Sequence, residues 1–134
     1  MKTFFKMLTI LIVALIFSNA QAQTANPRAT YYYCGSHGMG WSVAGGERLT
    51  PQKAKVVRYI AVSRDLERKG FKLGMYVKVT SEHYPHLNGV WKIMDRMSSR
   101  MHNCIDFLLQ NKGDRKKMKM PRHVKIELLT SSTK

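Results

Sequence analysis

What most constrains the fold of this chain is a succession of short β-prone runs, each closed off by glycine, proline or charge before it reaches helical length. Residues 29–34 carry Tyr31, Tyr32 and Tyr33, and residues 55–63 carry Val56, Val57, Tyr59, Ile60 and Val62. Residues 74–80 alternate around Val77 and Val79. Residues 89–95, 104–108 and 123–130 complete the set, the last alternating through Val124, Ile126 and Leu128. Aromatic and β-branched residues fit a pleated, half-buried surface, and period-two alternation marks strands. Between the first two runs, residues 35–46 hold five glycines and must form a loop or tight turns. Residues 64–70 read as a charged turn, 81–88 as a polar loop and 111–120 as a basic, solvated connection. About six strands with little helix predict an all-β fold: a small six-stranded barrel, whose closure removes exposed strand edges.

Two of these runs carry an acid where an acid is out of place. Asp95 closes the run Gly89-Val90-Trp91-Lys92-Ile93-Met94, and Asp106 sits inside Cys104-Ile105-Asp106-Phe107-Leu108-Leu109. Carboxylates are seldom set in hydrophobic strands, and one that loses hydration there is expected to hold its proton to higher pH. A carboxyl protonated near neutrality is a general acid, and a neighbouring carboxylate raises its pKa further. Asp106 and Asp95 are therefore the candidate catalytic pair, suited to an uncharged bond such as a glycosidic linkage. The bland readings are that Asp95 pairs with Arg96 or caps a turn, and that Asp106 caps a helix starting at Phe107.

The N-terminus predicts export. Lys2 and Lys6 precede an apolar run of eleven residues, 7–17, and Ala20-Gln21-Ala22 fits a cleavage site, so residues 1–22 read as a signal peptide too short to span a membrane. Residues 23–28 read as a linker, 29–130 as one barrel domain, and 131–134 as a fraying tail. The mature protein is expected to be soluble and exported, to the periplasm or beyond the cell. The formal charge of +15 falls to about +13 once Lys2 and Lys6 are removed, and such a chain favours anionic partners. Export points those partners to wall carboxylates, lipid phosphates or anionic glycans rather than nucleic acid. Residues 112–119, with Lys112, Arg115, Lys116, Lys117 and Lys119, are the stretch that would touch an anionic membrane or polymer, in a salt-sensitive way. Cys34 and Cys104 are expected to pair after export, closing a loop of about 70 residues worth roughly 4 kcal/mol, with two separate buried thiols as the other reading.

Sugar contacts need flat apolar faces. Tyr31, Tyr32, Tyr33, Trp41, Tyr84 and Trp91 offer them; Trp41, in the glycine-rich loop, is the better groove candidate, whereas Trp91 between Val90 and Ile93 reads as core. His83 and His86, and the Met118, Met120 and His123 group, lack a specific ligand spacing, so no metal and no cofactor is expected.

The segments Ile60-Ala61-Val62-Ser63, residues 73–79, Gly89 to Arg96, and Ile105-Asp106 resemble the three-aspartate (3D) domain. They are also similar to the barrel of rare lipoprotein A, as is the opening Ala29-Thr30-Tyr31-Tyr32-Tyr33 with Gly45-Gly46-Glu47. The resemblance implies a double-psi β-barrel, the group that includes lytic transglycosylase A and expansins. It implies that Asp106 stands at the acid/base position and Asp95 at the aspartate ending the preceding strand. It implies that Glu47 lines a sugar groove, with Trp41 and Tyr33 beside it as substrate-binding candidates. The sequence departs from the family pattern at Ser63, where an aspartate is common and Asp65 follows two residues later, and at Arg96-Met97-Ser98-Ser99, where glycines are common. The function so implied is a peptidoglycan lytic transglycosylase. The alternatives are a non-catalytic peptidoglycan-binding or wall-loosening barrel, and a basic exported protein with another partner.

Overall fold

The computed structural model describes residues 22–35, 40–109 and 122–130. Apart from Ala22, the expected signal segment lies outside the described residues, as do residues 112–119 and 131–134. Eight strands form one sheet: β1 (Thr24–Ala25), β2 (Arg28–Tyr32), β3 (Tyr59–Val62), β4 (Tyr76–Thr80), β5 (Gly89–Arg96), β6 (Cys104–Leu108), β7 (Arg122–His123) and β8 (Lys125–Leu129). Their order is β1-β8-β4-β5-β3-β6-β2-β7. The expected count of six is corrected to eight, and the reason is local. Pro27 has no N–H to donate, so the first strand breaks into β1 and β2, with Thr24–Ala25 inside the stretch read as linker. Opposite it, the Val124 N–H bonds the Pro27 carbonyl at 3.1 Å, and the last strand breaks there into β7 and β8. The two breaks face each other, because β1 pairs with β8 and β2 with β7, both antiparallel.

Helix is sparse. α1 (Pro51–Ala54) starts at Thr50, whose hydroxyl accepts from the Lys53 N–H at 3.1 Å, and has Pro51 in its first turn, where a missing N–H costs nothing. α2 (Arg64–Arg68) replaces the expected charged turn; it buries Leu66 and places Asp65 and Glu67 in its first turn. A 3-10 turn spans Pro85–Leu87. No helix among the described residues is long and apolar enough to cross a membrane.

Strand alternation builds two cores on opposite faces of the sheet. Ile60, Val62, Val77, Val79, Trp91, Ile93, Ile105, Phe107 and Ile126 share the first, where the Trp91 and Phe107 rings meet edge to face at 4.8 Å. Tyr32, Val43, Leu49, Tyr59, Ala61, Met94, Cys104 and Leu108 share the second. β3 is buried at all four positions because Ile60 and Val62 fill one core while Tyr59 and Ala61 fill the other. The cover over the second core is the chain from Trp41 to Leu49, folded on itself by the Ser42–Arg48 bridge and the Leu49 N–H to Trp41 carbonyl bond of 2.8 Å. β4, uncovered on its outer side, alternates strictly between exposed and buried.

The expected disulfide is corrected as well: Cys34 and Cys104 are both free thiols. β2 and β6 are parallel, with Arg28 opposite Cys104 and Tyr32 opposite Leu108. Four residues of strand, about 13 Å, separate Cys104 from the level of Tyr32, and Cys34 lies beyond Tyr32. A disulfide needs Cα atoms within about 7 Å. The Cys104 thiol instead donates to the His102 carbonyl at 3.0 Å.

Candidate functional site

Ala61 organises the site. On one side β3 pairs in parallel with β5, placing Ala61 opposite Asp95; on the other it pairs antiparallel with β6, placing Ala61 opposite Asp106. The aspartates thus lie at the same level on the two strands flanking β3. Their backbones are separated by two strand spacings, about 9–10 Å, with only a methyl group between them.

A bulge makes this possible. The register passes from Ile60–Ile93 to Ala61–Asp95, so β5 contributes one extra residue, Met94. Strict alternation from Ile93, which faces the first core, would send Asp95 inward as well. The bulge places Met94 in the second core and Asp95 on the same outer side as Ala61 and Asp106. The covering loop docks on the bulge. The Gly45 N–H donates to the Met94 carbonyl at 2.8 Å, and the Ala44 N–H donates to Asp95 Oδ1 at 3.0 Å. A side chain at Gly45 would lie 2.9 Å from both the Met94 carbonyl oxygen and its Cε. Asp95 Oδ1 also accepts from the Arg96 N–H at 2.9 Å. The Arg96 guanidinium turns away to Glu67, in a two-pronged pair at 2.6 Å for each contact, so it does not neutralise Asp95 by direct pairing.

Both aspartates line one groove of about 490 Å³, walled by Thr30, Tyr31, Tyr32, Arg96, Met97 and Met101. Asp106 is in mid-strand, not at a helix cap. The Thr30 hydroxyl, opposite it in the β2–β6 ladder, bonds its Oδ1. Burial pushes the Asp106 carboxyl above its ordinary range; the Thr30 bond opposes this, and the Asp95 charge adds to it. Tyr32 is buried beside the pair, and its hydroxyl has no hydrogen-bond partner among the described residues. Burial first, then the charges of Asp95, Cys34 and Asp106, hold the Tyr32 phenol protonated well above its usual pKa. Burial and Asp95 likewise raise the Cys34 thiol. The groove therefore gathers two carboxyls and the hydroxyl-bearing side chains of Thr30 and Tyr32, and burial favours the neutral form of Asp106.

Glu47, Trp41 and Tyr33 are not brought to this groove. The Glu47 carboxylate is held by Lys53 and by the Tyr59 hydroxyl at 2.7 Å, contacts that keep its pKa below the usual range; burial first, then the bond to Glu47, pushes Tyr59 up to about 12. It fastens the covering loop to α1 and β3. Trp41 packs on the second core with its ring over Gly35, and Tyr33 turns to the first core, its ring 6.1 Å from that of Tyr31. Ser63, where the resemblance would put a third acid, is fully buried, and its hydroxyl accepts from the Cys104 N–H at 3.0 Å. Asp65 accepts from the Asn103 N–H instead and is not part of the described groove wall. Thr30 is a site residue that sequence reasoning did not single out, and Tyr32 was named only as one of several aromatic faces. The signal available for them was their alternate spacing on β2, which puts both on one face.

No family model matches the chain, and no curated protein matches it. Solved structures do. Streptomyces papain inhibitor aligns with a TM-score of 0.51 at 13% identity, over 81% of this chain and 96% of the inhibitor. The apo expansin of Clavibacter michiganensis aligns at 0.51 and 15% identity, over 84% of this chain and 53% of the expansin chain. A point mutant of that expansin in complex with cellohexaose gives 0.53 and 15% over the same shares. The chain spans about half the length of the expansin chains it matches. At these identities the likeness is one of fold, and it is consistent with a double-psi barrel.

Proposed function

We propose that this protein is an exported glycan-binding barrel that takes a wall polysaccharide along the Asp95–Asp106 groove, in the manner of a wall-loosening module. The observation that carries this reading is that Asp95 and Asp106 flank Ala61 on the floor of one open groove. Asp95, fixed by two backbone N–H groups, and Asp106, whose pKa burial raises, supply polar partners for sugar hydroxyls. An expansin of the same fold, solved with cellohexaose, supports a glycan as the occupant. In this reading the chain is a closed barrel of the 3D and rare lipoprotein A type. Each two-residue end strand runs into a strand near the other end of the sheet order, β1 into β2 and β7 into β8, which supports closure.

A second reading is favoured by one observation, the burial of Asp106 in the groove beside Thr30 and Asp95, which pushes its carboxyl above the ordinary range. In it the protein is a lytic transglycosylase. Protonated Asp106 gives its proton to the glycosidic oxygen as that bond breaks. The muramic acid C6 hydroxyl then attacks the anomeric carbon and returns its proton to the Asp106 carboxylate, leaving a 1,6-anhydro sugar. Nucleophile and electrophile share one ring, which lowers the entropic barrier.

Purified peptidoglycan separates the two. Sedimentation with the glycan, no new products, and binding weakened by Asp106→Asn or Asp95→Asn are the results expected of the binding module. Anhydro-muropeptides that vanish in Asp106→Asn would replace it with the enzyme. Absence of cosedimentation at low salt would end both.

A further inference from the structure

A second concavity lies apart from the aspartate groove and shares none of its described lining residues. It forms where the turn between β1 and β2 meets the end of β4 and the β7–β8 break, with a volume of about 610 Å³. Asn26, Glu82, His83, Arg122, His123 and Lys125 line it. The sheet register explains the gathering. Lys125 is opposite Thr80 at the end of β4, so the residues that follow β4, Glu82 and His83, arrive beside β8. His123 is opposite Arg28 in the β2–β7 ladder, but the Arg28 guanidinium reaches the Cys104 sulfur at 3.6 Å and is not part of the described lining.

His123 is oriented, not loose. Its Nδ1 lies 2.9 Å from the Asn26 carbonyl. A carbonyl only accepts, so Nδ1 carries a proton and Nε2 is the nitrogen that changes role: an acceptor in the neutral ring, a charged donor in the imidazolium. With both rings neutral, Arg122 and Lys125 against Glu82 leave the lining one charge positive; two imidazolium rings raise that to three. The lining then offers planar guanidinium, ammonium and imidazolium donors around a cavity large enough for a small oxyanion.

We propose that this cleft is a phosphate-ester site whose affinity rises on acidification through His83 and His123. A phosphodiester is the informative ligand. It keeps a single negative charge across the range where histidine titrates, so any change of affinity with pH comes from the protein. The charged groups that line the cleft with the histidines are Glu82 beyond β4 and Arg122 and Lys125 on β7 and β8; Arg28 on β2 is the ladder partner of His123. Imidazole is the side-chain type among these whose charge ordinarily changes near neutrality.

The test is a titration of the mature chain with glycerophosphoglycerol, following the imidazole resonances of His83 and His123 by NMR at pH 5.5 and 7.5. Saturable shifts at these two rings, with binding on the order of five-fold tighter at pH 5.5, are expected. Arg122→Gln should abolish saturation. His83→Gln with His123→Gln should leave the weaker binding and remove its pH dependence. Asp106→Asn should change nothing, which keeps the outcome separate from that of the glycan groove. Vesicles of phosphatidylglycerol, set against phosphatidylcholine, assign the source: shifts with the former place a lipid headgroup in the cleft, and shifts with the soluble diester alone place a free ester there. Shifts spread evenly over the basic residues, equal affinity at both pH values, or no saturation in either arm would overturn the proposal.

Discussion

Asp106 shows how one side chain is tuned by its neighbours. Its carboxyl titrates higher in the folded chain than in the unfolded one, so in the interval between the two pKa values the native state holds more protons. Stability therefore falls as pH rises through a window that opens near the ordinary aspartate value of about 4. Asp106→Asn keeps an oxygen for the Thr30 hydroxyl and removes the buried charge. The variant should melt above the wild type at pH 7, and the gain should vanish below about pH 4. Thermal unfolding at several pH values checks this; a gain independent of pH, or a loss at pH 7, would contradict the environment described for Asp106. Gly45 is the counterpart in the backbone. Alanine there meets the Met94 carbonyl, so Gly45→Ala should cost about 1–3 kcal/mol in urea unfolding. Gly46→Ala meets no atom and is strained only by its φ of +89°, so it should cost about 1 kcal/mol.

At the scale of elements, the site is a product of register. β3 is flanked by β5 and β6, and a single residue, Ala61, is opposite both aspartates. Ala61→Val suits a strand but fills the gap between the two carboxyls. It should leave the fold intact at a cost of about 1–3 kcal/mol and weaken glycan cosedimentation roughly ten-fold, equal to about 1.4 kcal/mol. Unchanged binding by a folded Ala61→Val would place the glycan elsewhere. Both runs 89–95 and 104–108 were legible as strands because each is dense in apolar residues. The bulge at Met94 was not, since a two-for-one register depends on the partner strand. The first helix was readable in principle from Thr50-Pro51, a cap followed by a residue suited to the first turn. The second was hidden because its one buried residue, Leu66, gives no periodicity.

For the whole molecule, the balance of charge and the redox state of its thiols are the accessible tests. Among the described residues the two cysteines lie on separate levels of the β2–β6 ladder, and Cys104 is buried. Purified under non-reducing conditions, the protein should retain two alkylatable thiols after unfolding, and Cys104 should resist alkylation while folded. A mass two hydrogens short of the dithiol would show that the pair closes after all. The fold-level likeness to an inhibitor and to expansins fixes no activity, because the same barrel carries different sites. That is why the wall assay and the phosphodiester titration are read on different residues.

Local sequence was enough to determine the all-β class, the run boundaries near the two aspartates and the burial of Trp91, because each follows from side-chain pattern within a few residues. It also marked Asp95 and Asp106 as anomalous, since a carboxylate in an apolar strand is costly wherever it folds. Tertiary structure alone decided that the two share a groove, that Thr30 and Tyr32 join them, that Glu47 serves as a loop fastener and that Cys34 and Cys104 stay apart. Each of these depends on which strands become neighbours and on a one-residue shift between them, and pairing across the sheet is set by the packing of both cores together.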